Sequence, residues 1–575
     1  MGGNKKQKLK VGTSLFLCLL NLLFMHHYII QTCQVEDVIE WTSWVDNFCR
    51  LCFDVWVVFS FLFFFLKRSV KWSLCFTFCI TLVWSFSNIV YSRFFYHYLS
   101  LSSLGETGAL IDPLVLNSVV SGLRWTDLYF ILMPIPFFLL FRHASIKIAS
   151  RSYLKWSGIV FSSLFFLNLS AHLLFCSLDP SLRYITYYER RVGMRLFGQN
   201  HLLALPIYAN FHNGSIKSIV IEAVLDMQGH VELTAKQVSV IENELIKSKN
   251  SIVRNRGVGV RNVIFILVES YMSFVSDLKV DGREVTPFLN SLKQDTSVYY
   301  NGNIHSNITM GESSDGQFIL MTGMLPLRSM ITVSKVHKKP LPSLVKSLEA
   351  IGIKESRMIL PTSSSLWRQD DMCKQYGFTY LFASNEYQGM HEQTLTDKQV
   401  FELAVEKDRQ MSKNLFFSMI LTATMHQPYN KIVDSTFVLK NDSLSSEMIS
   451  YLNVCHYTDD CIGNYLNTLK KSGLYDSSLI IITADHHVHN AGFVNEVSSD
   501  IPLFIVNGDI DSDAYRGECN QIDIYTTILD VLGIKDEWPG LGFSILNETY
   551  NYSDISHKWH VSEMLILGDY FRDSP

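Results

Sequence analysis

The strongest constraint on this chain is where its apolar residues lie. Five apolar segments occupy the first 176 residues, at about 11–30, 51–66, 73–91, 127–141 and 156–176, and the remainder reads as ordinary soluble sequence. The third and fifth contain no Asp, Glu, Lys or Arg, and each is long enough for a helix to cross a bilayer. The second and fourth are shorter; Asp54 lies at the edge of one, and Pro134 and Pro136 interrupt the other. Reading all five as spans puts eleven basic residues on one side: Lys5, Lys6, Lys8, Lys10, Lys67, Arg68, Lys71, Arg142, Lys147, Arg151 and Lys155. The opposite loops carry only Arg50, Arg93 and Arg124. The excess of Lys and Arg in cytoplasmic loops then predicts a cytoplasmic N-terminus, with everything after the fifth span outside. Four further spans and the lack of a small-residue cleavage site argue against a cleaved signal peptide at the first.

With 575 residues the chain exceeds one hydrophobic core. A formal net charge of -5 gives no basic footprint for nucleic acid. Cys373, Cys455, Cys461 and Cys519 in the soluble part lack zinc-finger spacing, leaving buried thiols or up to two disulfides. Residues 177–258 read as a connecting region: Tyr184 to Phe197 suits a helix lying in the membrane interface or packed on the next domain, and 235–249 reads as a helix.

From Asn262 the pattern changes. Continuous apolar runs at 262–268, 415–421, 479–483 and 502–506 have the signature of strands buried on both faces. Helical patterns at 286–294, 341–351, 445–471 and 523–532 lie between them. This alternation predicts a mainly parallel sheet covered by helices on both faces, with active groups at the carboxyl ends of the strands.

Three strand ends carry matched chemistry. Glu269 follows the run 263–268, and Asp485-His486 follows 480–484. Ser313, in Gly311-Glu312-Ser313-Ser314-Asp315-Gly316, follows a strand at 298–303 and leads into the apolar run 318–324. Any one of them alone reads as a helix cap or a surface turn. Together, two carboxylates, an imidazole and a hydroxyl form a ligand set suited to Zn²⁺ or Mn²⁺, which would stabilise a serine alkoxide and polarise a phosphoryl oxygen. His426, after the strand 415–421, is a candidate to bind a substrate phosphate or protonate a leaving group. His487 and His489 read as neighbours of the ligand set.

The ordered set of Asn262-Val263-Ile264-Phe265, Val268-Glu269-Ser270, Gly311-Glu312-Ser313-Ser314-Asp315, Pro342-Ser343-Leu344, Trp367 to Tyr376, His426-Gln427-Pro428-Tyr429, Thr483-Ala484-Asp485-His486 and Gln521-Ile522-Asp523 resembles the lipoteichoic acid synthase and phosphoglycerol transferase family. These are membrane members of the sulfatase and alkaline phosphatase superfamily. The resemblance spans about residues 260–545, and five preceding spans also fit. It implies one Mn²⁺ or Zn²⁺ (or Mg²⁺) held by Glu269, Ser313, Asp485 and His486, with Ser313 as nucleophile where the family usually has Thr. Substrate contacts would come from His426, Trp367 and Arg368. The implied reaction moves a phospholipid head group onto Ser313, releases diacylglycerol, and passes the head group to a hydroxyl on an envelope glycan or lipid. The alternatives are a phosphodiesterase or phosphatase of the same superfamily, or an inactive sensor or scaffold.

Two departures stand out. Relatives that handle phosphoglycerol carry His-Gly before Trp-Asn-Arg, and here Pro361-Thr362 precedes Trp367-Arg368-Gln369, which leaves phosphoglycerol and phosphoethanolamine both open. Ser313 lacks the x-Pro-x-Arg sequence of true sulfatases. The expected organisation is a five-helix transmembrane domain (1–176), a helical interfacial linker (177–258), an extracytoplasmic sulfatase-like α/β domain (259–550) and a C-terminal tail (551–575), in a bacterial cytoplasmic membrane.

Overall fold

The computed structural model describes residues 2–33, 41–100, 119–141, 210–227, 233–254 and 262–571 with short internal breaks, together with isolated positions between 155 and 166. The chain divides into two compact units, one drawn mainly from residues before Gly229 and one mainly from His230 onward.

The first unit is helical. Helices α1 (Gly2–Thr32), α2 (Trp41–Phe65) and α3 (Val70–Phe95) contain stretches long and apolar enough to cross a membrane, at Leu9–Thr32, Asn47–Phe65 and Val70–Phe94. They bury Leu22, Met25, Leu51, Val55, Phe59, Leu74 and Phe78 in a shared cluster. The fourth apolar segment is broken at Met133 into α4 (Leu128–Leu132) and α5 (Pro134–Phe141), since a proline lacks the amide a continuous helix needs. Three long spans are therefore described where five were expected. The fifth segment and the interfacial stretch 184–197 fall outside the described residues, apart from isolated positions in the former.

Two polar residues of this unit have roles that composition did not reveal. Arg93, counted above as a loop charge, is fully buried, and its guanidinium donates to both carboxylate oxygens of Asp127 at 2.8 and 2.6 Å and to the Tyr28 hydroxyl at 2.9 Å. Asp54 lies inside α2 rather than at its edge. Its carboxylate accepts from the Ser215 amide at 2.8 Å, at the start of α6 (Ser215–Met227), a helix the sequence reading missed.

The second unit begins with α7 (Ala235–Ser251), opened by a Thr234–Gln237 capping box. Its sheet has eight strands: β1 (Asn262–Val268), β2 (Val298–His305), β3 (Glu355–Ile359), β4 (Tyr380–Phe382), β5 (Phe416–Leu421), β6 (Ser478–Ala484), β7 (Ile501–Val506) and β8 (Cys519–Asn520). Their order across the sheet is β8-β2-β7-β6-β1-β5-β3-β4. Only β7 runs against its neighbours. Every residue of β1, β5, β6 and β7 is buried, which requires cover on both faces. The short strands β3, β4 and β8 were not anticipated.

The longer helices that follow in this unit are α8 (Pro287–Gln294), α9 (Ser313–Thr322), α10 (Leu344–Ala350), α11 (Gln369–Tyr376), α12 (Asp397–Gln410), α13 (Ser446–Ser472), α14 (Asp523–Val531) and α15 (Ser556–Leu567). Local chemistry sets their ends. The Ser445 hydroxyl accepts from the Met448 amide at 3.1 Å to start α13, and Gly473, at φ 74°, stops it. The first amides of α8, at Phe288 and Leu289, donate to the buried Asp459 of α13 at 2.8 Å each. The stretch read as a tail contains α15, which buries Val561, Met564, Leu565 and Ile566. Cys373, Cys455, Cys461 and Cys519 are buried free thiols.

Candidate active site

β1 and β6 are adjacent parallel strands, and each ends in acidic sequence. Val268 pairs with Ala484, so the chain delivers Glu269 and Asp485 side by side at the carboxyl edge of the sheet. The third element, α9, approaches this edge end-on. Gly316 makes that approach possible, because a Cβ there would lie 2.1 Å from the Asp485 carbonyl oxygen. Ser313 is the first residue of α9 and follows Glu312, which is held at φ 41° and ψ -114°. A non-glycine residue in that region stores backbone strain, a feature that collects at functional sites. Ser270, directly after Glu269, also has positive φ, at 50°.

The side chains converge. Ser313 Oγ lies 3.2 Å from Glu269 Oε2 and 3.1 Å from His486 Nε2. His486 Nε2 is 3.4 Å from Glu269 Oε1 and 3.6 Å from Asp485 Oδ2. One ligand atom from each of Glu269, Asp485 and His486 falls within 4.8 Å of the others, and all three residues are buried. The surrounding contacts fix their orientation. His486 Nδ1 is 2.8 Å from the His487 carbonyl, so it carries a proton, and Nε2 faces the cluster. Asp485 Oδ1 accepts from the Ser270 and His486 amides at 3.0 and 2.8 Å, and Glu269 Oε1 accepts from the Ser270 hydroxyl at 2.6 Å.

The electrostatics are strained. Burial pushes the Asp485 carboxyl up to about 7, reinforced by Glu269. Burial would pull His486 down, but Asp485, Glu269 and Glu312 together hold it up at about 9. Burial would also raise Glu269, and the charges of His486 and then His426 outweigh it, leaving it below its ordinary value. Several buried carboxylates around one imidazole call for added positive charge. A divalent cation could supply it by displacing the Nε2 proton, and with the Ser313 hydroxyl alongside, this donor set fits one.

The other expected residues are placed as follows. His426 follows β5, next to β1 in the sheet, and its charge acts on Glu269. Its Nδ1 is 2.8 Å from the Gln427 carbonyl, leaving Nε2 as its reactive nitrogen. Trp367 and Arg368 lie on the turn entering α11, at consecutive left-handed φ values of 52° and 53°. His487 contributes its carbonyl rather than its ring, and His489 lies outside the described residues. Ser314, the residue after Ser313, does not cap free amides: its hydroxyl donates to the Gly311 carbonyl at 2.7 Å. Asp315 does act as a cap, but backward, accepting from the amides of Thr309 and Gly311 at 3.0 and 2.9 Å. Two supporting residues had no assigned role. The Thr422 hydroxyl accepts from the Glu269 amide at 3.0 Å, and Gln521 Nε2 donates to the Asp485 carbonyl at 2.6 Å. Gln521 sits in one of the motifs carrying the resemblance, so a signal for it was present.

Comparison with known proteins gives matches to both units. Residues 261–534 match the sulfatase family model, and residues 1–213 match that of the lipoteichoic acid synthase N-terminal domain. Lipoteichoic acid synthase 2 of Bacillus subtilis is 26% identical over 485 residues, covering 78% of this chain and 70% of that protein. Lipoteichoic acid synthase of Staphylococcus saprophyticus is 24% identical over 524 residues, covering 86% and 78%. In structure, the integral membrane lipooligosaccharide phosphoethanolamine transferase A of Neisseria meningitidis aligns with a TM-score of 0.53 at 15% identity, over 92% of this chain and 98% of that one. That likeness concerns the fold.

Proposed function

The chain belongs to the sulfatase superfamily as a lipoteichoic acid synthase-like membrane phosphotransferase, and from that premise we propose that it moves a phospholipid head group through a covalent Ser313 intermediate to an acceptor hydroxyl. The observation that carries this reading is the Ser313 hydroxyl, 3.2 Å from one buried carboxylate and 3.1 Å from a buried imidazole at the carboxyl edge of the sheet. Glu269, Asp485, His486 and Ser313 would hold the divalent ion. When bound, the ion would lower the pKa of the serine hydroxyl and neutralise charge on the phosphoryl oxygens.

The residues themselves do the rest. Ser313 Oγ, its proton lost to solvent, attacks phosphorus, forming a phosphodiester as the bond to diacylglycerol breaks. The hydrogen bonds of the cluster hold that oxygen in place, and Asp315 ties down the loop preceding it. His426 contacts the head group, with Trp367 and Arg368 as further substrate contacts. An acceptor hydroxyl on an envelope glycan or lipid then displaces Ser313. The head group is phosphoglycerol or phosphoethanolamine.

The same reading keeps five spans with the N-terminus inside, a linker at 177–258 and a catalytic domain at 259–550 outside a bacterial cytoplasmic membrane. Product analysis tests the reaction. The full-length protein, incubated with mixed phospholipids, should release diacylglycerol and leave the head group on an acceptor. Release of free head-group phosphate at the same rate would instead identify a hydrolase.

A further inference from the structure

A second histidine–carboxylate pair lies at the same edge of the sheet, outside the ligand set. His305 is the last residue of β2, and Asp500 immediately precedes β7. His305 Nδ1 is 2.7 Å from Asp500 Oδ1, and Ser498 Oγ donates to the other oxygen of Asp500 at 2.8 Å. The carboxylate thus fixes Nδ1–H as the donor and makes Nε2 the exchanging nitrogen, the orientation a proton-transfer imidazole needs. Among the described residues Nε2 has no hydrogen-bond partner. The two side chains are 35% and 20% exposed, so a substrate oxygen can reach them.

The pair is close to the cluster. β7 lies between β6 and β2, with Ile304 paired to Ile501 and Leu503 to Thr483. At a spacing of about 4.8 Å per strand, the end of β2 is roughly 10 Å from the end of β6. One residue bridges that gap: the Gln521 amide donates to the His305 carbonyl at 2.9 Å, and its side chain donates to the Asp485 carbonyl at 2.6 Å. On the other side, the Asp500 carbonyl accepts from the amide of Ser273, four residues after Glu269, at 2.8 Å. The cluster is thereby flanked by His426 beyond β1 and by His305 beyond β6.

We propose that His305, positioned by Asp500, is the acid–base group shared by both halves of the transfer; this rests on the two-step reading above. In-line displacement at phosphorus places the departing oxygen opposite Ser313 in the first step and the entering oxygen at that same position in the second. One proton carrier therefore serves both. In the first step Ser313 Oγ, entering as the alkoxide after its proton has gone to solvent, bonds to phosphorus, the bond to the diacylglycerol oxygen breaks, and that oxygen keeps the electron pair and takes the proton from His305 Nε2. In the second step Nε2 takes the proton of the acceptor hydroxyl as its oxygen bonds to phosphorus, and Ser313 Oγ leaves with its electron pair. The imidazole ends as it began.

A change of leaving group tests this on the full-length protein in detergent. A fluorescent-acyl phospholipid needs its departing oxygen protonated, and a 4-nitrophenyl phosphodiester does not. His305→Gln should slow turnover of the lipid about 100-fold, while the first-turnover burst of nitrophenolate stays within about twofold of wild type. Asp500→Asn should show the same split with a loss of about tenfold. Equal slowing of both donors, or of neither, overturns the assignment and leaves only a structural role or none. A wild-type protein that gives no burst and no head group on Ser313 overturns the two-step reading itself.

Discussion

The catalytic unit buries carboxylates in two kinds of place. In the first kind, Asp397 accepts from the amides of Ala423 and Thr424, just past the end of β5, at 2.9 Å each and from the Thr458 hydroxyl at 2.6 Å. Asp530 accepts from the amides of Val253 and Arg254 and from the Ser544 hydroxyl. These groups spend their lone pairs on donors from loops and helix ends. At the carboxyl edge, Glu269 and Asp485 face one another across a single imidazole, and their oxygens point at a shared centre. Burial is common to both regions. The distinguishing feature is acceptor capacity aimed at one point, which suits an added cation.

That contrast predicts different failures. The largest effect belongs to Ser313→Ala, which should reduce turnover on the order of 10⁴-fold or more while the melting temperature holds, because the proposed nucleophile is lost and no packing is. Ser313→Thr should retain substantial activity. Next come Asp485→Ala and His486→Ala, which should abolish metal binding seen by isothermal titration, and chelation of the wild type should abolish activity. A metal-free protein at full activity would contradict the contrast. Asp397→Ala should do the reverse. Leaving two buried amides and a hydroxyl without their acceptor should cost about 1–3 kcal/mol in denaturant unfolding, with metal affinity unchanged.

A pH series sharpens the comparison further. Burial pushes Asp459 up to about 7 from an ordinary 3.8. Between those values the folded state binds more protons than the unfolded state, so this group's contribution to stability falls as pH rises from about 4 to about 7. The melting temperature of wild type relative to Asp459→Asn should fall over that window, and parallel curves would show the carboxylate to be ionised throughout. The smallest effect is expected for Ser314→Ala, which removes one hydrogen bond to the Gly311 carbonyl and should cost about 1 kcal/mol with activity retained.

The two units differ in how much of them could be read from sequence. The buried parallel strands were legible because both faces are covered, which writes an unbroken apolar run at 262–268 or 478–484. The polar residues ending those runs marked Glu269, Asp485 and His486. Edge strands are harder to see: β4 pairs on one side only and is partly exposed at Tyr380, so Tyr380–Phe382 carries little periodicity. Helix α12 escaped notice because it is amphipathic and rich in charge, with Val400, Phe401, Leu403 and Ala404 as its buried face. In the membrane unit, apolar runs located helices but not their lengths. α2 extends back to Trp41 through polar positions, and Asp54 is therefore internal, bonded to a segment 161 residues away. The direction of the Ser314 hydrogen bond was not legible, because adjacency along a turn does not say whether a hydroxyl accepts or donates. The cluster at Ser313 was legible because two strand ends and one helix start carried complementary polar groups, a coincidence that does not depend on any one local conformation.

The most direct test of the central claim is the mass of Ser313 itself. Full-length protein supplied with Mn²⁺ or Zn²⁺, mixed briefly with phosphatidylglycerol and phosphatidylethanolamine and quenched in acid, should yield a peptide containing Ser313 heavier by one phosphoglycerol or one phosphoethanolamine. The adduct should be absent from Ser313→Ala and present in Ser314→Ala. An unmodified Ser313 in a preparation that is releasing diacylglycerol, or an adduct that persists in Ser313→Ala, would contradict the account.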